Sequence, residues 1–124
     1  MTKPTEAELE ILHILWQCGR CTVRFVHEKL QVQKDVGYTT ILKLMQIMAE
    51  KCLVQRNMDL RIHVYEAAVS ETEAQKELLH GFVHSAFRGS ATKLVMQALG
   101  SHKASHEELN EIRKFLENME GGHK

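Results

Sequence analysis

The feature that most constrains the fold is a change in hydrophobic periodicity after Lys51. Up to that point apolar residues recur at helical spacing, whereas residues 53–56 and 61–67 alternate as strands do. Residues 57–60 separate the two stretches, so they predict a two-stranded hairpin with a turn of about four residues. A lone hairpin is marginal in water and must pack on other elements. Three helices followed by a hairpin predict a winged helix-turn-helix.

Local capping signals mark where the first two helices begin and end. Thr5 and Glu8 have the spacing of a capping box, and Gly19 is suited to end the helix that they start. Thr22 can cap a second helix, which places Arg24 in its first turn on the solvent side. Residues 31–37 lack a helical stripe, so they are predicted to form the turn before a third helix.

The third helix, within residues 36–51, has two contrasting faces. At about 100° per residue its apolar side is formed by Ile41, Leu44, Met45 and Met48. The opposite side is formed by Thr39, Lys43, Gln46 and Glu50. Short hydroxyls, an amide and a cation suit a helix laid in a DNA major groove. An ordinary amphipathic surface helix would show the same pattern, so the neighbouring elements must decide between the two interpretations.

The charge distribution favours a phosphate-binding face. The chain has 124 residues, with 16 basic and 16 acidic side chains. Residues 20–63 nevertheless carry eight cations against four acids, while residues 71–120 carry eight acids. The eight cations are Arg20, Arg24, Lys29, Lys34, Lys43, Lys51, Arg56 and Arg61. A basic middle segment can give a neutral protein one positive face.

The second half of the chain is predicted to be a helical dimerisation module. Ser70 and Ser105 each start a capping box that is completed by Glu73 and Glu108. Short helices over about 50 residues need a partner to bury their apolar surface. The predicted dimerisation residues are Leu78, Leu79, Phe82, Val83, Leu94, Val95, Leu109, Ile112 and Leu116. We therefore expect a winged-helix domain over 1–70 and a dimerisation domain over 71–124; the alternative is one compact monomer.

Other chemistry has less support. Cys18 and Cys21 form a C-x-x-C pair, but a zinc site needs four ligands and a thioredoxin-like site needs a βαβ unit. Two alternative hypotheses stay open: a metal- or redox-sensing regulator that uses these cysteines, and a winged-helix adaptor that binds protein. No enzyme, cofactor or metal is expected. Without a secretion signal or an apolar span, the expected location is the cytoplasm.

Several segments together resemble the bacterial BlaI/MecI/CopY family of penicillinase-type and copper-responsive repressors. They are residues 9–16 (LEILHILW), 33–41 (QKDVGYTTI), 50–56 (EKCLVQR), Val64-Tyr65 and residues 90–99. The resemblance covers approximately residues 5–120, through the order and spacing of all segments rather than one motif. It implies a cytoplasmic homodimeric repressor that binds a palindromic operator in double-stranded DNA.

The resemblance also implies roles for individual residues. Bases would be read by the start of the third helix, through Tyr38, Thr39, Thr40 and Lys43, with Gln46 one turn further along. Arg24 and the wing residues Arg56 and Arg61 would hold phosphates, which position a protein without reading sequence. Threonine methyl groups, with Leu42 as a further candidate, can touch thymine methyls, and Lys43 suits guanine O6 and N7.

This chain departs from the family pattern at the motifs through which family members respond to an inducing signal. Members controlled by a membrane peptidase are cut at an Asn-Phe bond, whereas the aligned pair here is Gln97-Ala98. The copper-responsive branch carries C-terminal Cys-x-Cys motifs, and this chain has no cysteine after Cys52. Cys52 also stands where the family has a helix-ending glycine, so strain of about 1 kcal/mol is expected at positive φ. A regulatory protease, a ligand, a metal and redox chemistry all stay open as the inducing signal.

Overall fold

The structure, a computed structural model, describes residues 3–57, 62–101 and 103–121. It divides into two compact units, Met1–Gly81 and Phe82–Lys124. The element order is α1 (Glu6–Cys18), β1 (Cys21–Thr22), α2 (Val23–Gln31), α3 (Tyr38–Glu50), β2 (Val54–Asn57), β3 (Val64–Ala67), α4 (Glu71–Phe87), α5 (Ala91–Ser101) and α6 (His106–Gly121). The mainly helical winged helix-turn-helix is confirmed. The predicted domain boundary at residue 70 stays a prediction.

The first two helices begin at their predicted caps. The Thr5 hydroxyl accepts from the Glu8 amide at 3.2 Å, and the Glu8 carboxylate accepts from the Thr5 amide at 2.8 Å. The Thr22 hydroxyl accepts from the Phe25 amide at 3.1 Å. Gly19 ends α1 at φ 78°, a conformation that glycine adopts without a steric penalty.

The wing has one more strand than the sequence predicted. β1 pairs antiparallel with β3, and β3 pairs antiparallel with β2, giving the sheet order β1-β3-β2. β1 is only two residues long, and it forms because Cys21 lies opposite Tyr65 and Thr22 opposite Val64. Both predicted strands are present: β2 is shifted by one residue from the predicted 53–56, and β3 begins at Val64, later than the predicted 61–67. Arg61 and most of the predicted turn, residues 58–60, lie outside the described residues.

The core of the first unit lies between the three helices and the sheet. The predicted apolar stripes supply it: Ile11, Leu12, Val26, Ile41, Met45, Met48, Leu53 and Tyr65 are almost completely inaccessible to solvent. Leu44, predicted on the same side of α3 as Met45, is half-buried and packs against this core. Burial of this one face leaves the opposite face of α3 exposed, which is the condition for that helix to contact DNA.

The C-terminal end of α3 is a Schellman motif with cysteine in the glycine position. The Cys52 amide donates to the Ala49 carbonyl at 3.1 Å, and the Leu53 amide donates to the Met48 carbonyl at 2.9 Å. Cys52 adopts φ 64°, the left-handed conformation at which a residue with a Cβ is strained. Leu53 and Met48 are both fully buried, which supplies the hydrophobic contact of this motif.

A buried ion pair joins α1 to the residue that follows α3. Glu8 is only 2% exposed, and its carboxylate accepts from Lys51 Nζ at 2.6 Å. Burial acts to raise the pKa of Glu8, but the hydrogen bonds from Lys51 and Thr5 outweigh it and hold that pKa below its ordinary value. The pair therefore fastens the residue after α3 to the first turn of α1.

The described residues of the second unit form helices without a closed core. Ser90 and Ser105 cap α5 and α6 by accepting from the amides of Lys93 and Glu108 at 3.2 and 3.1 Å. Throughout residues 82–101 and 103–121, no side chain is fully buried. Within the described ranges, no helix combines the length and apolar character needed to cross a bilayer.

Candidate nucleic-acid interface

A groove of about 510 Å³ lies between α3, the start of α2 and the wing. It brings together four of the predicted DNA-binding residues, Arg24, Tyr38, Gln46 and Arg56. The remaining lining residues are Thr22, Val23, Leu42, Ile62, His63 and Tyr65. The Thr22 cap positions Arg24 at the start of α2, and strand pairing places Arg56 opposite Tyr65. Residues distant in sequence thus share one surface.

The exposed face of α3 extends beyond this groove. Tyr38, Leu42 and Gln46 follow one another at four-residue spacing and line the groove as a single ridge of the helix. Thr39, Thr40 and Lys43 are exposed and do not line the groove, so they lie on the outward part of α3. An outward helix surface with hydroxyls and an ammonium can present donors, acceptors and methyl groups to base edges.

Ion pairs divide the basic middle segment into two groups. Arg20, Lys34 and Lys51 lie 3.1, 2.7 and 2.6 Å from the carboxylates of Glu66, Glu10 and Glu8, so much of their charge is compensated within the protein. Among residues 3–57, 62–101 and 103–121, no carboxylate lies within 4.0 Å of the cationic groups of Arg24, Lys43 or Arg56. Arg24 and Arg56 line the groove and Lys43 lies beside it on α3, whereas Lys29, also without a carboxylate within 4.0 Å among the described residues, lies over the Phe25 ring away from the groove.

Sequence reasoning left several lining residues out of the predicted site. Leu42, which the sequence analysis gave only as a further candidate for thymine contact, lies between Tyr38 and Gln46 on their helical ridge. Ile62 and His63 reach the groove only because the chain returns from the wing beside β2, and both are exposed. No local signal marks them, because their position depends on how the wing packs.

The surroundings of Cys18 and Cys21 favour a structural role for the pair over a reactive or metal-binding one. Cys18 is exposed at the end of α1, whereas Cys21 is buried in β1 and its thiol donates to the Gly19 carbonyl at 3.2 Å. Burial, helped by nearby Cys18, raises the pKa of the Cys21 thiol. A thiol with a raised pKa is a weak nucleophile and a weak metal ligand. In the part of the chain that the structure describes, no cluster of three or more His, Cys, Asp or Glu side chains could hold a metal ion.

The predicted dimerisation residues are not enclosed by their own helices. The exposed members are Leu79, Phe82, Val95, Leu109 and Leu116, and the half-buried members are Leu78, Val83, Leu94 and Ile112. The edge-to-face contact of Phe82 with Phe87, at 5.6 Å between ring centroids, leaves Phe82 54% exposed. Gln97 and Ala98 have exposed side chains within α5.

A winged helix-turn-helix with an outward third helix and uncompensated cations beside it defines the class of DNA-binding regulators. The model of the family described as "Penicillinase repressor" matches residues 4–118, and the chain belongs to that family. The protein is accordingly a DNA-binding transcriptional repressor, and the resemblance noted in the sequence is confirmed.

Named relatives match along nearly their whole length. The methicillin resistance regulatory protein MecI of Staphylococcus aureus is 26% identical over 90% of this chain and 91% of its own. The transcriptional regulator BlaI of Mycobacterium tuberculosis is 29% identical over 99% of this chain and 89% of its own. A mutant of ZitR from Lactococcus lactis overlaps more loosely, with a TM-score of 0.48 and 21% identity over 99% of this chain and 77% of that chain.

Proposed function

We propose that this repressor acts as a homodimer on an inverted-repeat operator. The observation that carries the proposal is the groove between α2, α3 and the wing, where Arg24 and Arg56 have no carboxylate partner among the described residues. Such a protein acts by binding and not by catalysis, and its place of action is the bacterial cytoplasm, where the operator DNA lies.

Base reading is assigned to the first two turns of α3. Tyr38, Thr39, Thr40 and Lys43 are all exposed there. Lys43 can donate to guanine O6 and N7, and the threonines can offer a hydroxyl to a base and a methyl group to thymine. Gln46 lines the groove together with Arg56, so we assign it to the edge of the reading surface.

Phosphate binding is assigned to Arg24 at the start of α2 and Arg56 on the wing. Both line the groove beside the Tyr38–Leu42–Gln46 ridge of α3, one from α2 and one from the wing, so they could hold the DNA backbone next to a helix inserted in the major groove. Arg61, predicted for the same role, lies outside the described residues. These contacts would set the register of the repressor on DNA without contributing sequence information.

The homodimer is supported by the exposed apolar side chains of α4, α5 and α6. A palindromic operator matches a two-fold symmetric protein, because each half-site presents the same surface to one copy of the reading helix. A second chain would cover side chains that the helices of one chain leave accessible. The inducing signal and a regulatory protease are not assigned.

The phosphate roles can be tested by the salt dependence of DNA binding. For the Arg24→Ala and Arg56→Ala variants, we expect weaker binding to operator and scrambled duplex alike. The log–log salt slope should fall by about one for each phosphate that the variant no longer neutralises. Arg20→Ala is the matched control, because Arg20 is an exposed arginine paired with Glu66 and does not line the groove. An unchanged slope in both test variants would contradict the assignment.

A further inference from the structure

The start of the reading helix lacks the side-chain cap that fixes the other helices of the first unit. Gly37 is the N-cap of α3 and makes no side-chain hydrogen bond, whereas Thr5 and Thr22 cap α1 and α2 directly. Residues 32–37 before it belong to an irregular turn. A group on another element can instead hold the backbone where α3 begins, just before the reading residues.

His27 on α2 is that group. Its Nε2 lies 2.8 Å from the carbonyl oxygen of Val36, the residue before the N-cap. A carbonyl only accepts, so Nε2 carries the hydrogen and donates it across the turn. The imidazole ring also meets the Tyr38 ring edge-on, with 5.9 Å between centroids and an interplanar angle of 90°. One half-buried side chain thus contacts both neighbours of Gly37.

The consequences for Tyr38 follow from its position. Tyr38 is the first residue of α3, it is 46% exposed, and it lines the groove. An exposed aromatic ring at the end of a helix has few neighbours to fix its direction. The His27 ring supplies one neighbour, and the bond to Val36 limits how far the helix start can move.

We infer that His27 is a positioning residue for base recognition, holding the first turn of α3 and the Tyr38 ring in the orientation that reads the operator. The inference rests on the proposed operator function. His27 belongs to α2 and does not line the groove. It therefore acts through Val36 and Tyr38 and needs no contact with DNA. Its replacement should reduce sequence discrimination and leave phosphate binding unchanged.

Two substitutions separate the donor from the ring. His27→Phe keeps an aromatic edge for Tyr38 but removes the donor, and His27→Gln keeps an N–H at similar reach but removes the ring. We expect His27→Phe to weaken operator binding about tenfold, the scale of one displaced base contact, with scrambled-duplex binding unchanged. His27→Gln should restore most of the operator affinity. His80→Gln, which changes an exposed histidine on α4, is the control and should bind as the parent does.

Fluorescence anisotropy with both duplexes, on proteins whose folding is checked by circular dichroism, measures these ratios. Unchanged operator affinity in His27→Phe would overturn the inference, and so would an equal decrease in affinity for both duplexes. Should His27→Phe fail to fold, His27→Asn gives the same test, because its shorter amide falls short of the Val36 carbonyl. A parent protein that prefers no duplex would refute the proposed function, whereas a selective parent with an equally selective His27→Phe refutes the positioning role alone.

Discussion

At the scale of single residues, the carboxylate of Glu8 is a buried charge. It accepts from Lys51 Nζ and from the Thr5 amide, and its pKa is held below the ordinary value. Because the folded pKa lies below the unfolded value of about 4.3, the ionised carboxylate contributes stability that is fully present above that pH. This contribution is lost as the pH falls through the folded pKa.

We therefore expect Glu8→Gln to lower the free energy of unfolding at pH 7 by about 1 to 3 kcal/mol, since it removes charge-assisted hydrogen bonds from a buried site. The difference from the parent should shrink as the pH falls from the ordinary carboxyl pKa through the lowered folded pKa of Glu8, where the parent carboxylate becomes protonated as well. Urea denaturation at several pH values measures both effects. The control is Glu10→Gln, because the exposed Glu10–Lys34 pair should contribute less than about 1 kcal/mol. A pH-independent difference would contradict the linkage.

Cys52 provides a second prediction at the residue scale. At φ 64° its Cβ is strained in the glycine position of the Schellman motif. Cys52→Gly should raise the free energy of unfolding by up to about 1 kcal/mol, the steric strain relieved less the entropy cost of glycine. Cys52→Ala keeps the Cβ and should match the parent. Chemical denaturation of the three proteins decides the matter, and a glycine variant less stable than the alanine variant would refute the strain.

At the scale of elements, one hydrogen bond fastens α1 to the chain that leads into α4. The Trp16 indole donates to the Val69 carbonyl at 2.9 Å, and both residues pack against the core. Trp16→Phe keeps an aromatic ring but removes the donor, so it should cost about 1 to 2 kcal/mol of unfolding free energy. Thermal and urea unfolding test this. The control is Glu71→Gln, which removes the exposed Glu71–His13 contact but keeps the His13 ring that packs against Trp16, and it should cost no more than about 0.5 kcal/mol; an equal cost for both variants would exclude a role for the indole donor.

The elements that sequence predicted well are those specified by adjacent residues. The caps at Thr5, Thr22 and Ser105 act over three positions, so the residue pattern alone locates the helix starts. The apolar stripes of α1, α2 and α3 become the core because helical periodicity gathers them on one face. Residues close together in sequence were therefore sufficient to predict the helix starts and the core faces.

What sequence missed depends on contacts between distant segments. β1 has only two residues and becomes a strand through pairing with Tyr65 and Val64 more than 40 positions away. The Glu8–Lys51 pair and the His27–Val36 bond likewise need the folded chain. The same holds for the candidate site. The polar face of α3 could be predicted from its own sequence, whereas Ile62 and His63 reach the groove only through the packing of the wing.

At the scale of the whole molecule, the exposed apolar side chains of the helical second half support self-association. We expect the 14.2 kDa chain to sediment as a dimer at micromolar concentrations. Phe82→Glu should shift it to monomer, because it places a charge among side chains that a partner would cover. Gln75→Glu adds the same charge at a polar exposed position of α4 and should leave the dimer intact. A parent that sediments as a monomer at tens of micromolar would contradict the proposed homodimer.

Operator recognition combines all three scales, since it needs the α3 side chains, the wing and two copies of the chain. The most direct test is an anisotropy titration of the parent and of Lys43→Ala against a palindrome from the protein's own promoter and a scrambled duplex. The parent should bind the palindrome at least about a thousandfold more tightly than the scrambled duplex at physiological salt. Lys43→Ala should weaken palindrome binding by about 1 to 3 kcal/mol and reduce discrimination at one base position. Equal affinity of the parent for both duplexes would contradict sequence-specific reading by α3.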